Sequence, residues 1–320
     1  MEEEQKQQTI GVLNGIFAYM IWGVLPIYWK ALDTIGAEEI LAHRIFWSFA
    51  LMILVLLCFK KGKQFLTELK VIISKPILAL SVIMSGILIS GNWLIYIWAV
   101  NNNHVLETSL GYYINPLISV LLGVVVLKER LSFVQVLSFI LAAIGVFVLT
   151  FQYGKIPWAA LLLALSFGLY GLVKKKANLS STTGLTVETM VVTPIAVVYL
   201  ISLYLDGKGE YTLLTFNTTN LLLIGTGIVT AIPLLLFAEA AKRVPLSMIG
   251  FIQYISPTIT LCLGIFVYHE QFTKIDFIAF AFIWLALVIY SLSNAKRIRI
   301  FQPKLRKHNK YERVRSREGL

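Results

Sequence analysis

The sequence contains few charged residues and very few aspartates. Charged residues make up 14% of the 320 residues, and the three aspartates, Asp33, Asp206 and Asp276, each stand alone in predicted loops. A membrane enzyme that handles phosphate esters would need paired acidic side chains to hold magnesium. The four histidines lack metal-ligand spacing, and no glycine-rich nucleotide-binding loop ending in Gly-Lys-Ser/Thr is present. We therefore expect neither an enzyme nor a metal or other cofactor.

Cysteine is also scarce. Cys58 and Cys262 both fall within apolar stretches, one in each half of the chain. We interpret them as small packing residues rather than as a disulfide or a metal site. The N-terminal sequence Met1-Glu2-Glu3-Glu4 lacks the basic region of a secretory signal, so the first apolar stretch is expected to remain in the bilayer.

Apolar residues, in contrast, are abundant. They make up 58% of the chain, and the mean hydropathy is +0.77, well above the range of soluble domains. Ten segments have about the 20 residues that a helix needs to cross the hydrocarbon core, and the runs are too long and too uniformly apolar for barrel strands. The sequence therefore predicts an all-α membrane protein with ten transmembrane helices, near 10–29, 40–59, 76–100, 105–127, 131–151, 156–173, 184–205, 219–241, 245–268 and 274–294.

The basic residues of the loops predict the orientation. Lysines or arginines follow the second span at 60–75, the sixth at 174–176 and the eighth at 242–243, whereas the loop at 101–104 has no lysine or arginine. Basic loops remain preferentially on the cytoplasmic side. This pattern predicts that the N- and C-termini are both cytoplasmic, in a multi-pass protein of the cell membrane.

The C-terminal tail carries much of the net charge of +11. Ten lysines or arginines lie between Lys296 and Arg317, directly after the last span. A basic segment in this position attracts anionic lipid by about 1 kcal/mol per basic residue. We therefore expect the tail, residues 296–320, to lie against anionic lipid and not to bind nucleic acid. A homodimer remains open.

The chain contains an internal repeat. Tyr113-Ile114-Asn115-Pro116 returns as Tyr254-Ile255-Ser256-Pro257, and Gly123 and Glu129 return as Gly264 and Glu270, always 141 positions later. Two copies of five spans each require the second copy to enter the membrane from the opposite side. The sequence thus predicts two inverted five-helix repeats, residues 9–152 and 153–295, an arrangement typical of alternating-access transporters.

Two prolines of the repeat lie at mid-depth in their spans. Pro116 and Pro257 each remove a backbone hydrogen bond, so both are expected to kink a helix beside a shared cavity. A packing kink without a functional role is the alternative, because proline is common in membrane helices. Glu129 and Glu270 are interpreted as helix-end residues rather than as substrate ligands.

Polar and aromatic residues cluster in the third and fourth spans. Asn92, Trp93 and Tyr96 share one broad face of the third span, and Tyr112 and Asn115 lie three residues apart on the fourth. If the two faces meet, they form an amphipathic pocket for an organic solute. The alternative for the tryptophans is that they anchor the third span at the membrane interface.

Ionisable residues within spans are further candidates, because a charge at the bilayer centre costs roughly 2.5–3.5 kcal/mol. Arg44 lies near the outer end of the second span, Glu107 opens the fourth, and Glu188 lies near the inner end of the seventh. Glu239, late in the eighth span, is followed within a turn by basic residues. Each also lies close to a predicted interface, so snorkelling or stabilisation of a helix end is the alternative role.

Several longer strings resemble the EamA-type permeases of the drug/metabolite transporter superfamily, in the RarD branch, the "chloramphenicol-sensitive protein" group. They are His43-Arg44-Ile45-Phe46-Trp47-Ser48, residues 92–101, Ser109–Pro116, Tyr170–Lys175, Glu188-Thr189-Met190 and Gln253–Pro257. The resemblance covers about residues 10–295. It implies a secondary transporter of the bacterial cytoplasmic membrane, a permease or exporter for a small organic metabolite or drug-like solute.

The resemblance also implies a central cavity lined chiefly by spans 1, 3, 4, 6, 8 and 9. On these spans the candidate substrate-binding residues are Trp22, Asn92, Trp93, Tyr96, Tyr112, Asn115, Tyr170 and Gln253. A channel or membrane-bound sensor is the main alternative function, and a polytopic membrane enzyme is a weaker one.

Overall fold

The computed structural model describes residues 2–101, 104–177, 179–207, 209, 217–269 and 272–294. All regular secondary structure in these residues is helical. The helices form ten segments that are long and apolar enough to cross a membrane, as predicted, and one of these segments, Leu246–Phe266, consists of two helices. The helices are α1 (Glu2–Lys30), α2 (Ala37–Cys58), α3 (Gly62–Ser74), α4 (Pro76–Asn101), α5 (Val105–Val125), α6 (Phe133–Tyr153), α7 (Trp158–Ala177), α8 (Ser181–Leu205), α9 (Thr218–Arg243), α10 (Leu246–Gln253), α11 (Ile255–Phe266) and α12 (Lys274–Asn294).

Local capping explains where several of these helices begin and end. Ser132 and Gln135 form a reciprocal capping box at the start of α6, which ends at Gly154 in the left-handed conformation with φ 72°. The side chain of Asn217 accepts a hydrogen bond of 2.7 Å from the Asn220 amide at the start of α9. These bonds satisfy helix-end groups that lipid could not satisfy.

α3 is a helix in a segment that the sequence analysis treated as a basic loop. Phe65, Leu69 and Ile72 lie on one face of α3 and pack against Val187 of α8 and neighbouring residues of α4. Polar residues between them, Thr67, Glu68 and Lys70, interrupt this apolar stripe and hide it from a search for long apolar runs. α3 is therefore an amphipathic helix packed on the end of the bundle.

The two repeat prolines have different effects. Pro116 lies inside α5, which stays continuous, whereas the ninth span is interrupted at Tyr254, between α10 and α11 and three residues before Pro257. Because proline has no N–H, Pro257 cannot bond the carbonyl of Gln253 in the preceding turn. A kink was expected at both prolines, and an interruption of the helix, one residue long, occurs only in the ninth span.

Helices pack closely where glycine removes the side chain. A Cβ at Gly227 of α9 would lie 2.5 Å from the backbone carbon of Trp47 in α2, and a Cβ at Gly145 of α6 would lie 2.6 Å from the carbonyl oxygen of Ala279 in α12. Membrane helices associate through such small-residue contacts. The pairs with the most extensive contact are α5–α7, α6–α12, α1–α9, α2–α9, α4–α7, α2–α8 and α5–α10.

Candidate functional site

Arg44 is held near the start of α2 by three neighbouring helices. Its Nε donates a hydrogen bond of 3.1 Å to Thr230 Oγ1 on α9. The guanidinium carbon lies 4.8 Å from the ring centroid of Trp29 on α1 and 4.5 Å from that of Trp93 on α4. These are cation–π distances, so the charge is in contact with two aromatic rings. We call the end of the bundle where α1 ends and α2 begins the Arg44 end.

The aromatic faces of α4 and α5 meet beside this arginine. The ring centroids of Tyr96 and Tyr112 are 6.3 Å apart, and both phenols lie within electrostatic range of Arg44. Tyr112 is 50% exposed, whereas Pro116 and Ser119, further along the same face of α5, are buried. We name Arg44, Trp93, Tyr96 and Tyr112 the Arg44 pocket.

Asn92 has a different environment from that of its neighbours Trp93 and Tyr96. Its Nδ2 donates hydrogen bonds of 2.8 Å to the carbonyl of Leu163 and 2.9 Å to the hydroxyl of Ser166, both on α7. Both amide protons are thus used in packing α4 against α7. The structure gives Asn92 a helix-packing contact that sequence spacing could not indicate.

Trp22 and Tyr170 lie in an aromatic cluster at the centre of the bundle. The ring centroid of Trp22 lies 5.1 Å from that of Tyr19 and 5.6 Å from that of Phe167. The ring of Tyr170 stacks on that of Phe237, with the centroids 5.7 Å apart. Tyr170 is fully buried, whereas Trp22 retains partial exposure. Tyr19, Phe167 and Phe237 were not among the residues predicted from the sequence, although the first two lie three residues before Trp22 and Tyr170 on the same helices.

Gln253, at the end of α10, is a buried amide with no hydrogen-bond partner for either side-chain atom among the described residues. The hydroxyl of Tyr19 faces it but makes no bond of good geometry. Asn115 Oδ1, on the neighbouring α5, is also buried without a partner. Unsatisfied polar groups in a membrane interior cost free energy.

Glu188 forms a buried ion pair near the start of α8. Its carboxylate lies 2.7 Å from Lys174 Nζ on α7, accepts a hydrogen bond of 2.7 Å from Ser85 on α4 and lies 3.5 Å from the hydroxyl of Tyr170. Both charged side chains are buried. A cavity of about 20 Å³ beside the pair has room for one water molecule. We call this end of the bundle, where α7 ends and α8 begins, the Glu188 end.

Polar contacts close the Glu188 end. Glu239 of α9 accepts hydrogen bonds from Ser181 and Arg243 and lies 3.3 Å from Lys242. Lys175 of α7 donates hydrogen bonds of 3.2 and 2.5 Å to the carbonyls of Ala241 and Val244. Glu239 therefore has the helix-end role that was its alternative in the sequence analysis.

α3 joins the same end through Glu68. This carboxylate accepts hydrogen bonds from Ser180 at 2.5 Å and from Gln64 at 2.8 Å. Burial acts to raise the pKa of Glu68, but these hydrogen bonds together hold it below its ordinary value. Glu68 is thus an ionised acceptor that fastens α3 to the loop before α8.

Glu107, predicted as an intramembrane charge, joins three helices. It accepts hydrogen bonds of 2.8 Å from the hydroxyl of Tyr153 on α6 and from the amide of Ala159 at the start of α7, and it lies 2.7 Å from His104 Nδ1. The last contact spans three residues. Glu107 therefore acts as a helix cap, in line with the helix-end alternative.

Glu129 performs the same task for α10. Its two carboxylate oxygens accept hydrogen bonds of 2.7 and 2.8 Å from the amides of Leu246 and Ser247. The cap lies more than a hundred residues away in sequence, so local motifs could not reveal it. Its repeat counterpart, Glu270, lies outside the described residues.

Known proteins with similar sequences are membrane transporters. The model of the EamA-like transporter family matches residues 9–151 and 155–292. The uncharacterized transporter YojE of Bacillus subtilis is 49% identical, over 89% of this chain and 95% of its own length. Protein RarD of Escherichia coli is 43% identical, over 90% of this chain and 95% of its own length.

One solved crystal structure superposes on 90% of the chain, and 99% of its own length is covered, with a TM-score of 0.69. Its 18% sequence identity limits this likeness to the fold. The family match and the RarD relatives extend over nearly the whole membrane region and support the resemblance on which the sequence analysis relied. This chain belongs to the EamA-like transporter family, in its RarD branch, and is a multi-pass transporter of the cytoplasmic membrane.

Proposed function

We propose that the protein is a secondary transporter that moves a small organic solute across the cytoplasmic membrane by alternating access. The observation that carries this proposal is the Gln253 amide, buried at a helix break with both atoms unsatisfied. A solute that enters from one end would supply the missing hydrogen bonds. Because these bonds form only with solute present, they bias the equilibrium between conformations.

Helix packing supports an inverted repeat, residues 9–152 and 153–295. If the helices of the first half exchange with those of the second, the α1–α9 contact becomes the α7–α4 contact, and the α5–α7 contact becomes the α1–α11 contact. The α2–α8, α6–α12 and α5–α10 contacts exchange with themselves. All of these pairs are in contact, as a pseudo-twofold arrangement requires.

Two polar contacts exchange in the same way. Arg44 of α2 bonds Thr230 of α9, and Glu188 of α8 bonds Ser85 of α4. Glu188 follows Arg44 by 144 positions, and Thr230 follows Ser85 by 145. Two such contacts at opposite ends of the bundle would give the inward-open and outward-open conformations similar free energies.

The basic loops favour a cytoplasmic location for both termini, which would put the Glu188 end inward and the Arg44 end outward. In an alternating-access cycle we expect the bonds of Glu239 and Lys175 to break when the Glu188 end opens, and the Arg44 pocket to close. The tail, residues 296–320, lies outside the described residues, and its attraction to anionic lipid and a homodimer remain predictions.

Transport can be tested in two steps. Metabolite profiling of cells that lack or overproduce the protein identifies a solute whose level changes, and counterflow of that labelled solute is then measured in proteoliposomes. A carrier shows saturation and counterflow, whereas a channel shows neither, and a sensor or enzyme shows no flux.

The variant Gln253→Leu tests the observation on which the proposal depends. We expect it to lower counterflow by about tenfold or more, since the solute loses its buried hydrogen bonds. Trp284→Phe is the matched control, because Trp284 Nε1 is also buried without a partner, on α12. Undiminished counterflow in Gln253→Leu would remove the support for this site.

A further inference from the structure

The guanidinium of Arg44 is positioned by the protein but not neutralised by it. Its Nε donates a hydrogen bond to Thr230 Oγ1, and its guanidinium carbon lies 4.8 and 4.5 Å from the ring centroids of Trp29 and Trp93. Within the residues that the structure describes, no carboxylate lies within ion-pair distance and no protein acceptor bonds Nη1 or Nη2. The buried cation at the other end, Lys174, by contrast lies 2.7 Å from Glu188.

An unpaired cation within a membrane span is costly, since each charge must be desolvated and finds no compensating partner. Arg44 contacts Trp93 of α4, whereas Glu188 contacts Ser85 of the same helix. Trp93 lies eight residues, or about 12 Å, beyond Ser85, so Arg44 and the Glu188 pair lie at different depths in the bundle. The contacts that hold Arg44 favour a ligand-binding role over a snorkelling one.

The Nη groups of Arg44 are available to an anion. They have no protein acceptor among the described residues, and their fork matches the two oxygens of a carboxylate in a planar, bidentate contact. Tyr96 and Tyr112 lie within electrostatic range and offer phenolic O–H donors. The Tyr112 side chain is half-exposed.

We propose that the Arg44 pocket binds the oxyanion of an organic acid, and that the solutes of this transporter are organic anions with an apolar or aromatic body. The oxyanion lies against the Nη edge of Arg44, while the body lies against Trp93, Tyr96 and Tyr112. This inference rests on the proposed transport function, because it names the class of solute that the transporter takes.

The test uses the purified full-length protein and three probes, the anionic, neutral and cationic fractions of a bacterial small-molecule extract. Binding raises the temperature of thermal unfolding. We expect a rise with the anionic fraction, a loss of that rise in Arg44→Gln, and partial retention in Arg44→Lys, which keeps the charge without the planar fork. The apparent affinity should fall by about tenfold or more in Arg44→Gln.

Lys30→Gln is the matched control, since Lys30 is an exposed cation at the same end that contacts Tyr268. It should keep the full rise. If Arg44→Gln does not fold, Arg44→Lys alone decides, by a weakened affinity for the anionic fraction. A rise only with the cationic or neutral fraction, no rise with the anionic fraction, or an undiminished rise in both Arg44 variants would overturn the proposal.

Counterflow separates this inference from the proposed function. Saturable counterflow of a cation would leave the transporter standing and overturn the anion assignment. Binding of anions without counterflow of any of them would keep the Arg44 pocket and overturn transport by alternating access.

Discussion

At the scale of single residues, the polar groups within the spans have three kinds of environment. Some are satisfied by other helices, as are Asn92 and Glu107. Glu188 and Lys174 satisfy each other in a buried pair. Among the described residues, Arg44 has no ion-pair partner and the Gln253 amide has no hydrogen-bond partner. This third environment is where we propose that the solute binds.

The buried pair predicts a specific pattern of stability. Glu188→Gln or Lys174→Met alone leaves one uncompensated buried charge or unmatched group and should lower the free energy of unfolding by roughly 3–5 kcal/mol. The double variant Glu188→Gln/Lys174→Met should recover most of this loss, as measured by thermal unfolding in detergent. If the double variant is as unstable as the sum of the two single ones, the side chains do not act as a pair.

Asn92 should affect stability more than binding. Asn92→Ala removes two hydrogen bonds to α7, and buried interhelical bonds contribute about 0.6 kcal/mol each in membrane proteins. We expect a lower unfolding temperature with an unchanged apparent affinity for solute. Leu94→Ala, on the exposed face of α4, is the control. A loss of affinity at unchanged stability would instead support Asn92 as a cavity residue.

At the scale of helices, small residues set the distances and proline acts only where its surroundings allow. The α2–α9 contact depends on Gly227, whereas Gly91 of α4 has open space around its Cβ position. The two repeat prolines have the same local sequence spacing, yet only the ninth span breaks. Helix geometry at these sites is therefore decided by neighbouring helices.

The two glycines give a matched pair of variants. Gly227→Ala would place a methyl group against the backbone of Trp47, which must shift, and should cost roughly 1–3 kcal/mol in the free energy of unfolding. Gly91→Ala should be neutral or slightly stabilising, because alanine favours helix and meets nothing. Thermal unfolding of both variants checks this, and equal effects would contradict the packing described for α2 and α9.

At the scale of the whole molecule, the long apolar runs were sufficient to predict ten membrane helices. A span must be apolar along its whole length to lie in lipid, so hydropathy locates its ends well. The observed ends differ from the predicted ones by only a few residues, except that α1 begins earlier than predicted. α3 escaped prediction because its apolar stripe is short and interrupted by polar residues. The sequence indicated Arg44, Trp93, Tyr96 and Tyr112 separately, but only the tertiary fold shows that they surround one space.

Long-range partners could not be predicted for a similar reason. Glu129 caps α10 and Asn92 bonds α7, and neither contact leaves a local sequence pattern. The repeat offset identified equivalent positions in the two halves but not the difference in their conformation.

Accessibility at the two ends of the bundle tests the central claim of alternating access. In a protein whose exposed Cys58 and Cys262 are replaced by serine, Tyr112→Cys reports on the Arg44 end and Ala238→Cys on the cavity beside Glu188. Each is labelled with a membrane-impermeant maleimide, from outside in cells and from the cytoplasmic face in inverted vesicles. We predict that transported solute changes the two labelling rates in opposite directions. Changes in the same direction at both ends, or rapid labelling of both sites in one conformation, would contradict the account.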